Sequence, residues 1–100
     1  MVRGTTPTFI LKFGNDIDLT LANNVYVTFE QYYTKLNKSG EDIEVTAHQV
    51  DVYLSQEETL KFAEGKAKIQ VNWTYQDGKR ACSDILVVDV GPNLIGSVLQ

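Results

Sequence analysis

Apolar residues along this chain recur mostly at every second position, the period of a half-buried strand. Thr8-Phe9-Ile10-Leu11-Lys12-Phe13 sets Phe9, Leu11 and Phe13 on one face and predicts a first strand. Gly14-Asn15-Asp16 is a turn cluster, since such residues tolerate tight backbone geometry. Residues 18–24 read either as a loop or as a single helical turn. Residues 25–31 are β-branched and aromatic, the composition of a strand. Val25, Val27 and Phe29 point one way there, and Tyr26, Thr28 and Glu30 the other. Residues 32–36 continue as a partner strand or as an extension beyond a bulge, and residues 38–42 form a polar turn. Residues 43–46 are a short strand. Residues 50–54 place Val50, Val52 and Leu54 inward, Asp51 and Tyr53 outward.

The period changes at Ser55-Gln56-Glu57-Glu58, which reads as a capping box. Ser55 can accept from the Glu58 amide while the Glu58 carboxylate reaches back to the Ser55 amide. The helix so started is short: Thr59, Leu60, Lys61 and Phe62 continue it, and Gly65 suits its C-terminal cap. Leu60 is its expected buried contact, followed by Phe62.

Residues 66–75 and 80–90 carry the longest pattern, a hairpin turned at Gln76-Asp77-Gly78. Ile69, Val71, Trp73 and Tyr75 share one face; Lys68, Gln70, Asn72 and Thr74 share the other. A two-residue loop would set Val71 opposite Asp84 and bury a carboxylate, which is costly without a partner. A three-residue loop with Gly78 left-handed sets Trp73 opposite Ala81 and Ile69 opposite Ile85, and is the expected register. It leaves Leu86 and Val88 on the far face, to be covered by the rest of the chain or by a partner. Residues 91–100 read as a short helical turn begun at Pro92, with Leu94, Ile95, Val98 and Leu99 on one side. Six or seven short strands with one helical turn predict an all-β fold, an antiparallel immunoglobulin-like β-sandwich. The 100 residues leave room for a single domain, residues 1–100.

Charge narrows the function classes. Net charge is −4, from 9 Lys+Arg and 13 Asp+Glu. That balance disfavours nucleic acid, which is met by basic stripes, and offers no attraction to an anionic membrane. No apolar run reaches the roughly 20 residues a membrane span needs. The N-terminal residues lack the apolar region of a secretory signal. The single Cys82 fits synthesis in a reducing bacterial cytoplasm.

Candidate chemistry is sparse. His48 is the only histidine; catalysis through it would need a converging nucleophile and an orienting acid. A surface histidine in a bend is the simpler reading. Cys82 has no neighbouring Cys or helix N-terminus to activate its thiol, and reads as a small apolar filler in a strand. One His and one Cys do not make a zinc site. The acidic pairs Asp16 and Asp18, Glu41 and Asp42, and Glu57 and Glu58 lack the density of oxygen ligands calcium requires. Glu57 and Glu58 read instead as charges favoured at a helix N-terminus. No catalytic, cofactor-binding or metal-ligating residue is therefore assigned. Tyr26 and Tyr53, on outward faces, could bind a sugar or a protein partner, or serve as ordinary cross-strand pairs. With Leu86, Val88, Leu94, Ile95, Val98 and Leu99 they make up the candidate interaction surface.

The opening Met1-Val2-Arg3-Gly4-Thr5-Thr6-Pro7-Thr8 resembles the Arg-Gly-Thr-Thr-Pro start of small phage- and prophage-encoded proteins of Firmicutes-type bacteria. The run from Val50 through Ser55-Gln56-Glu57-Glu58 to Leu60 resembles them too, as do Ile69-Gln70-Val71-Asn72-Trp73, Asp77-Gly78-Lys79 and residues 81–83. The order of strands, capped turn and hairpin is also similar, by pattern rather than by motif, to the N-terminal β-sandwich of phage upper-baseplate proteins. The resemblance implies a non-enzymatic virion or tail-associated role. The expected partner is a phage tail or baseplate component, or a second copy of the chain. The alternative expectation is a small carbohydrate-binding module with Tyr26 or Tyr53 as its stacking platform. An enzyme is a third.

Overall fold

Two antiparallel sheets pack face to face in the computed structural model, which describes every residue, Met1–Gln100. The strands are β1 (Thr8–Lys12), β2 (Ala22–Gln31), β3 (Thr34–Ser39), β4 (Ile43–Thr46), β5 (Gln49–Tyr53), β6 (Gly65–Tyr75), β7 (Arg80–Cys82) and β8 (Leu86–Val90). The smaller sheet runs β1-β5-β4. The larger runs β3-β2-β6, with β7 and β8 sharing the far side of β6 end to end. One short helix, α1 (Gln56–Leu60), links the sheets between β5 and β6. The chain is thus the expected all-β antiparallel sandwich with one helical turn.

Alternation explains the layers. Val27 and Phe29 from β2, Ile69, Val71 and Trp73 from β6, and Val50 and Val52 from β5 face one another in a core of 14 buried apolar side chains. Edge-on aromatic pairs tie the sheets: Phe9 to Phe29 at 5.4 Å, Phe13 to Trp73 at 5.7 Å, and Phe29 to Phe62 of the α1 segment at 6.4 Å. The ambiguous stretch after β1 forms a 3-10 turn, Leu19–Leu21, capped by Asp18, whose carboxylate accepts from the Thr20 amide and hydroxyl. Those bonds hold the Asp18 carboxyl below its ordinary value.

Several expectations are corrected. Tyr32 and Tyr33 form the tip of the β2–β3 hairpin, Tyr32 with φ of +50°, so β3 starts at Thr34 and includes Lys38 and Ser39. The helix ends at Leu60 with Lys61 as its cap. Gly65, at φ +134°, is the first residue of β6 and not the helix cap. Leu60 is only half-buried; the deeply buried members of that segment are Thr59 and Phe62. Residues 91–100 form no helical turn. The Asn93 side-chain Oδ1 accepts from the Ile95 amide in an Asx turn, and Gly96 gives a helix nothing to propagate through.

The largest correction concerns β8. The three-residue loop is as expected: Gly78 is left-handed at φ +86°, the Tyr75 amide donates to Lys79 at 2.9 Å, and Trp73 stands opposite Ala81. Beyond Ser83, which bonds to Val71, the register slips by one, so that Ile69 pairs with Leu86 instead of Ile85. Asp84 and Ile85 together oppose Gln70, a bulge. The Ser83 hydroxyl repairs it by accepting the Val71 amide at 3.0 Å. Asp84 and Asp89 are five positions apart, an odd offset. In an unbroken strand they would therefore point to opposite faces, and one would enter the core. The bulge turns Asp89 out and leaves Asp84 exposed. Leu86 and Val88 consequently lie on the core side, and Ile85 and Val87 take the outer side.

Candidate functional site

The search for a site begins with polar groups that the packing has not consumed. Around α1 nearly all are consumed. Arg3 donates from Nε to the Phe62 carbonyl at 2.6 Å and from Nη2 to the Leu60 carbonyl at 3.1 Å, satisfying groups a helix C-terminus leaves bare. The buried Thr59 hydroxyl accepts from the Gly4 amide at 2.9 Å and donates to the Thr5 carbonyl at 2.9 Å. Gly4 has φ of +80°, a left-handed geometry that glycine adopts without strain. The buried Gln31 amide clamps the next loop, accepting from the Ala63 amide and donating to the Ala63 carbonyl. Arg-Gly-Thr-Thr-Pro is therefore a clasp for α1 rather than a loose lead-in.

The capping box forms as expected, but its carboxylate has a second duty. Glu58 accepts from the Ser55 amide at 2.9 Å and also receives Lys38 Nζ at 2.8 and 2.7 Å on its two oxygens. Lys38 lies on the inner face of β3 and is nearly buried. Partial burial pushes the Glu58 carboxyl upward. The hydrogen bonds from Lys38 and Ser55, with the lysine charge, outweigh that and hold it below its ordinary value.

Nothing here assembles for catalysis. His48 is half-buried, and its Nδ1 lies 2.6 Å from the Ile17 carbonyl, so its role is to pin the loop before the Leu19–Leu21 turn. Cys82 is exposed on the outer face of the large sheet, which corrects its expected place as a filler. No three His, Cys, Asp or Glu side chains come together as a metal set.

The candidate surface residues fall into separate places. Tyr26, 41% exposed, is on the outer face of the large sheet; Tyr53, 46% exposed, is on the outer face of the small one. They share no platform. Around Tyr53 the face is acidic: the Glu44 carboxylate above all, then partial desolvation and Asp51, pushes the Tyr53 hydroxyl upward. On the face that holds Tyr26, Arg80 lies beside it, and Lys35 and Lys68 lie toward the far end with Glu30. The tail residues Leu94, Ile95, Val98 and Leu99 are all exposed but form no ridge. The tail folds back on the N-terminal clasp, where Asn93 donates to the Arg3 carbonyl and Gln56 brackets Leu99 with both amide atoms.

Val88 packs against the core, and so leaves the candidate surface. Leu86 stays in it for a different reason from the expected one. It faces inward at a place where the sandwich is open. Between the free edge of β1 and the β7–β8 edge lies a slot of about 350 Å³, bordered by Leu11, Phe13, Ile17, Val71 and Leu86, with Lys12 and Asp84 at its rim. Neither edge has a further strand beside it there. The cover lies at the C-terminal end of β8, where the Met1 ammonium donates to the Asp89 carbonyl and Met1 and Arg3 bond to Gly91 in a short parallel bridge. Ile85, Leu86 and Val87 stand above it, 55%, 46% and 56% exposed. The odd spacing of Asp84 and Asp89 is the sequence signal from which the bulge could have been read, and the expected register left it out of account.

Comparison with protein-family models, curated proteins and solved structures finds no match to the chain. No helix is long and apolar enough to cross a membrane.

Proposed function

We propose that this protein is a non-enzymatic β-sandwich adaptor that accepts an extended segment of a partner protein along the free edge of β8. The observation that carries the reading is the exposed run Ile85-Leu86-Val87 on an unpartnered edge, beside a slot that opens toward the core. A strand added there would draw affinity from main-chain hydrogen bonds and specificity from alternate side chains entering the slot. Asp84 and Asp89 flank the apolar run and discourage indiscriminate edge pairing. The resemblance to prophage proteins supports a virion or tail setting, with synthesis in a bacterial cytoplasm and a tail or baseplate protein as the partner. The facing of β1-β5-β4 against β3-β2-β6 and the β7–β8 edge supports an immunoglobulin-like description of the sandwich.

Amide hydrogen exchange tests it. The Val87 amide, which points away from β6 on the same side as the Asp89 and Gly91 groups, is expected to slow when the cognate tail or baseplate protein is added, and Leu86→Lys to abolish the slowing. Protection in the isolated chain that grows with its concentration would make a second copy the partner. A chain that stays monomeric and shows no protection at this edge with any tail or baseplate protein overturns the proposal.

A further inference from the structure

The outer face of the large sheet holds a second surface, unrelated to the β8 edge. Two shallow grooves, of about 250 and 220 Å³, share Thr28, Asn72 and Arg80 and so form one continuous channel across β3, β2, β6 and β7. Tyr26 borders one end, and Lys35 and Lys68 the other.

The bonds made by Thr28 and Arg80 on this face consume acceptors and leave donors, while Gln70 donates to the Ser83 carbonyl and keeps its Oε1 free. Thr28 donates to Asn37 Oδ1 at 2.7 Å, which orients the Asn37 amide with its NH₂ group free. Arg80 donates from Nε and Nη2 to Asn72 Oδ1 at 3.2 and 2.9 Å, leaving three guanidinium N–H groups and the Asn72 NH₂ group unused. The Lys35 ammonium shares Glu30 at 3.2 Å in a solvent-exposed pair, and Lys68 stands across the strand from the same carboxylate. Three cations thus face one anion on a chain whose net charge is −4.

An aromatic ring beside fixed planar donors and surplus positive charge matches one ligand chemistry: rings with apolar faces that carry many acceptors and anionic groups. We infer that this channel binds an acidic saccharide, its sugar ring stacked on Tyr26 and its carboxylate or sulfate groups met by Arg80, Lys35 and Lys68. Ring stacking supplies orientation, and the forked guanidinium supplies charge-assisted bonds to the anion. Tyr53 is excluded from the role, because Glu44 and Asp51 would repel such a ligand.

Amide chemical shifts of the full chain, followed against four probes, test the inference. The probes are an oligogalacturonate hexamer, a heparin hexasaccharide, neutral maltohexaose and a single-stranded hexanucleotide. Shifts at Thr28, Asn37, Asn72, Thr74 and Arg80 are expected with at least one acidic saccharide, and which one responds distinguishes carboxylate from sulfate. Maltohexaose should bind at least tenfold more weakly. Tyr26→Ala and Arg80→Ala should each weaken binding at least tenfold, while Tyr26→Phe and Tyr53→Ala leave it unchanged. All three positions are solvent-facing, so an unaltered spectrum elsewhere verifies folding. Absence of shifts with both acidic saccharides at millimolar concentration overturns the inference. So do equal binding of maltohexaose, insensitivity to Tyr26→Ala, and preference for the hexanucleotide.

Discussion

The region around α1 and the edge of β8 solve the same problem in opposite ways. Each is a place where a sheet ends and backbone groups and apolar side chains would meet water. At α1 the chain closes the gap with its own side chains: Arg3, Thr59, Gln31 and the Lys38–Glu58 pair each bind a group on a different segment. At β8 the chain leaves Ile85, Leu86 and Val87 in solvent and a slot between two unpaired edges. Stability is invested in the first, and availability kept in the second. A surface meant for a partner cannot also be satisfied internally, and regions of low local stability are where binding elements are drawn from.

Substitutions can break this contrast, beginning with the largest effect. Phe62→Ala removes a fully buried ring that packs on Phe29, and should cost about 3–5 kcal/mol in a denaturant titration. A loss below about 1 kcal/mol would mean that the α1 region is not the closed end. Thr59→Val keeps the shape but strands the Gly4 amide and the Thr5 carbonyl. It should cost about 2 kcal/mol, with faster hydrogen exchange at Gly4 as its local mark.

Glu58→Gln sharpens the comparison through pH. Folding lowers the Glu58 pKa, so ionised Glu58 favours the fold above its unfolded-state value, and that contribution fades as pH falls through the folded-state value. The stability gap between the native chain and Glu58→Gln should therefore be widest near neutrality and shrink as pH drops below about 4.5. A gap independent of pH would separate Glu58 from the acid sensitivity of the fold. The smallest effect belongs to the open edge. Leu86→Lys should change stability by less than about 1 kcal/mol, as half-exposed positions do, while removing partner protection at β8. A larger loss would move Leu86 into the core and close the slot.

The sequence revealed the strands, the capping box and the left-handed Gly78 because each is a local preference, decided within a few residues. It missed the roles of Arg3, Gln31, Lys38 and Thr59 for one reason: their partners are far away along the chain. Lys38 reads as a turn residue until β3 carries it to Glu58, and Arg3 reads as a lead-in until the fold brings α1 alongside. Val88 was misplaced because facing depends on register. The bulge at Asp84 and Ile85 reverses every side chain after it.

What the sequence determined by itself is the period-two alternation, the turn chemistry and the caps, and hence an antiparallel β-sandwich with one short helix. Only the tertiary structure decided which tyrosine stands among cations and which among carboxylates, since Tyr26 and Tyr53 look alike as outward residues of strands. Only it decided that Leu86 borders an opening while Val88 is covered. Alternation specifies two faces for every strand. What lies against each face depends on strand order, and strand order is set by burial summed over the whole chain.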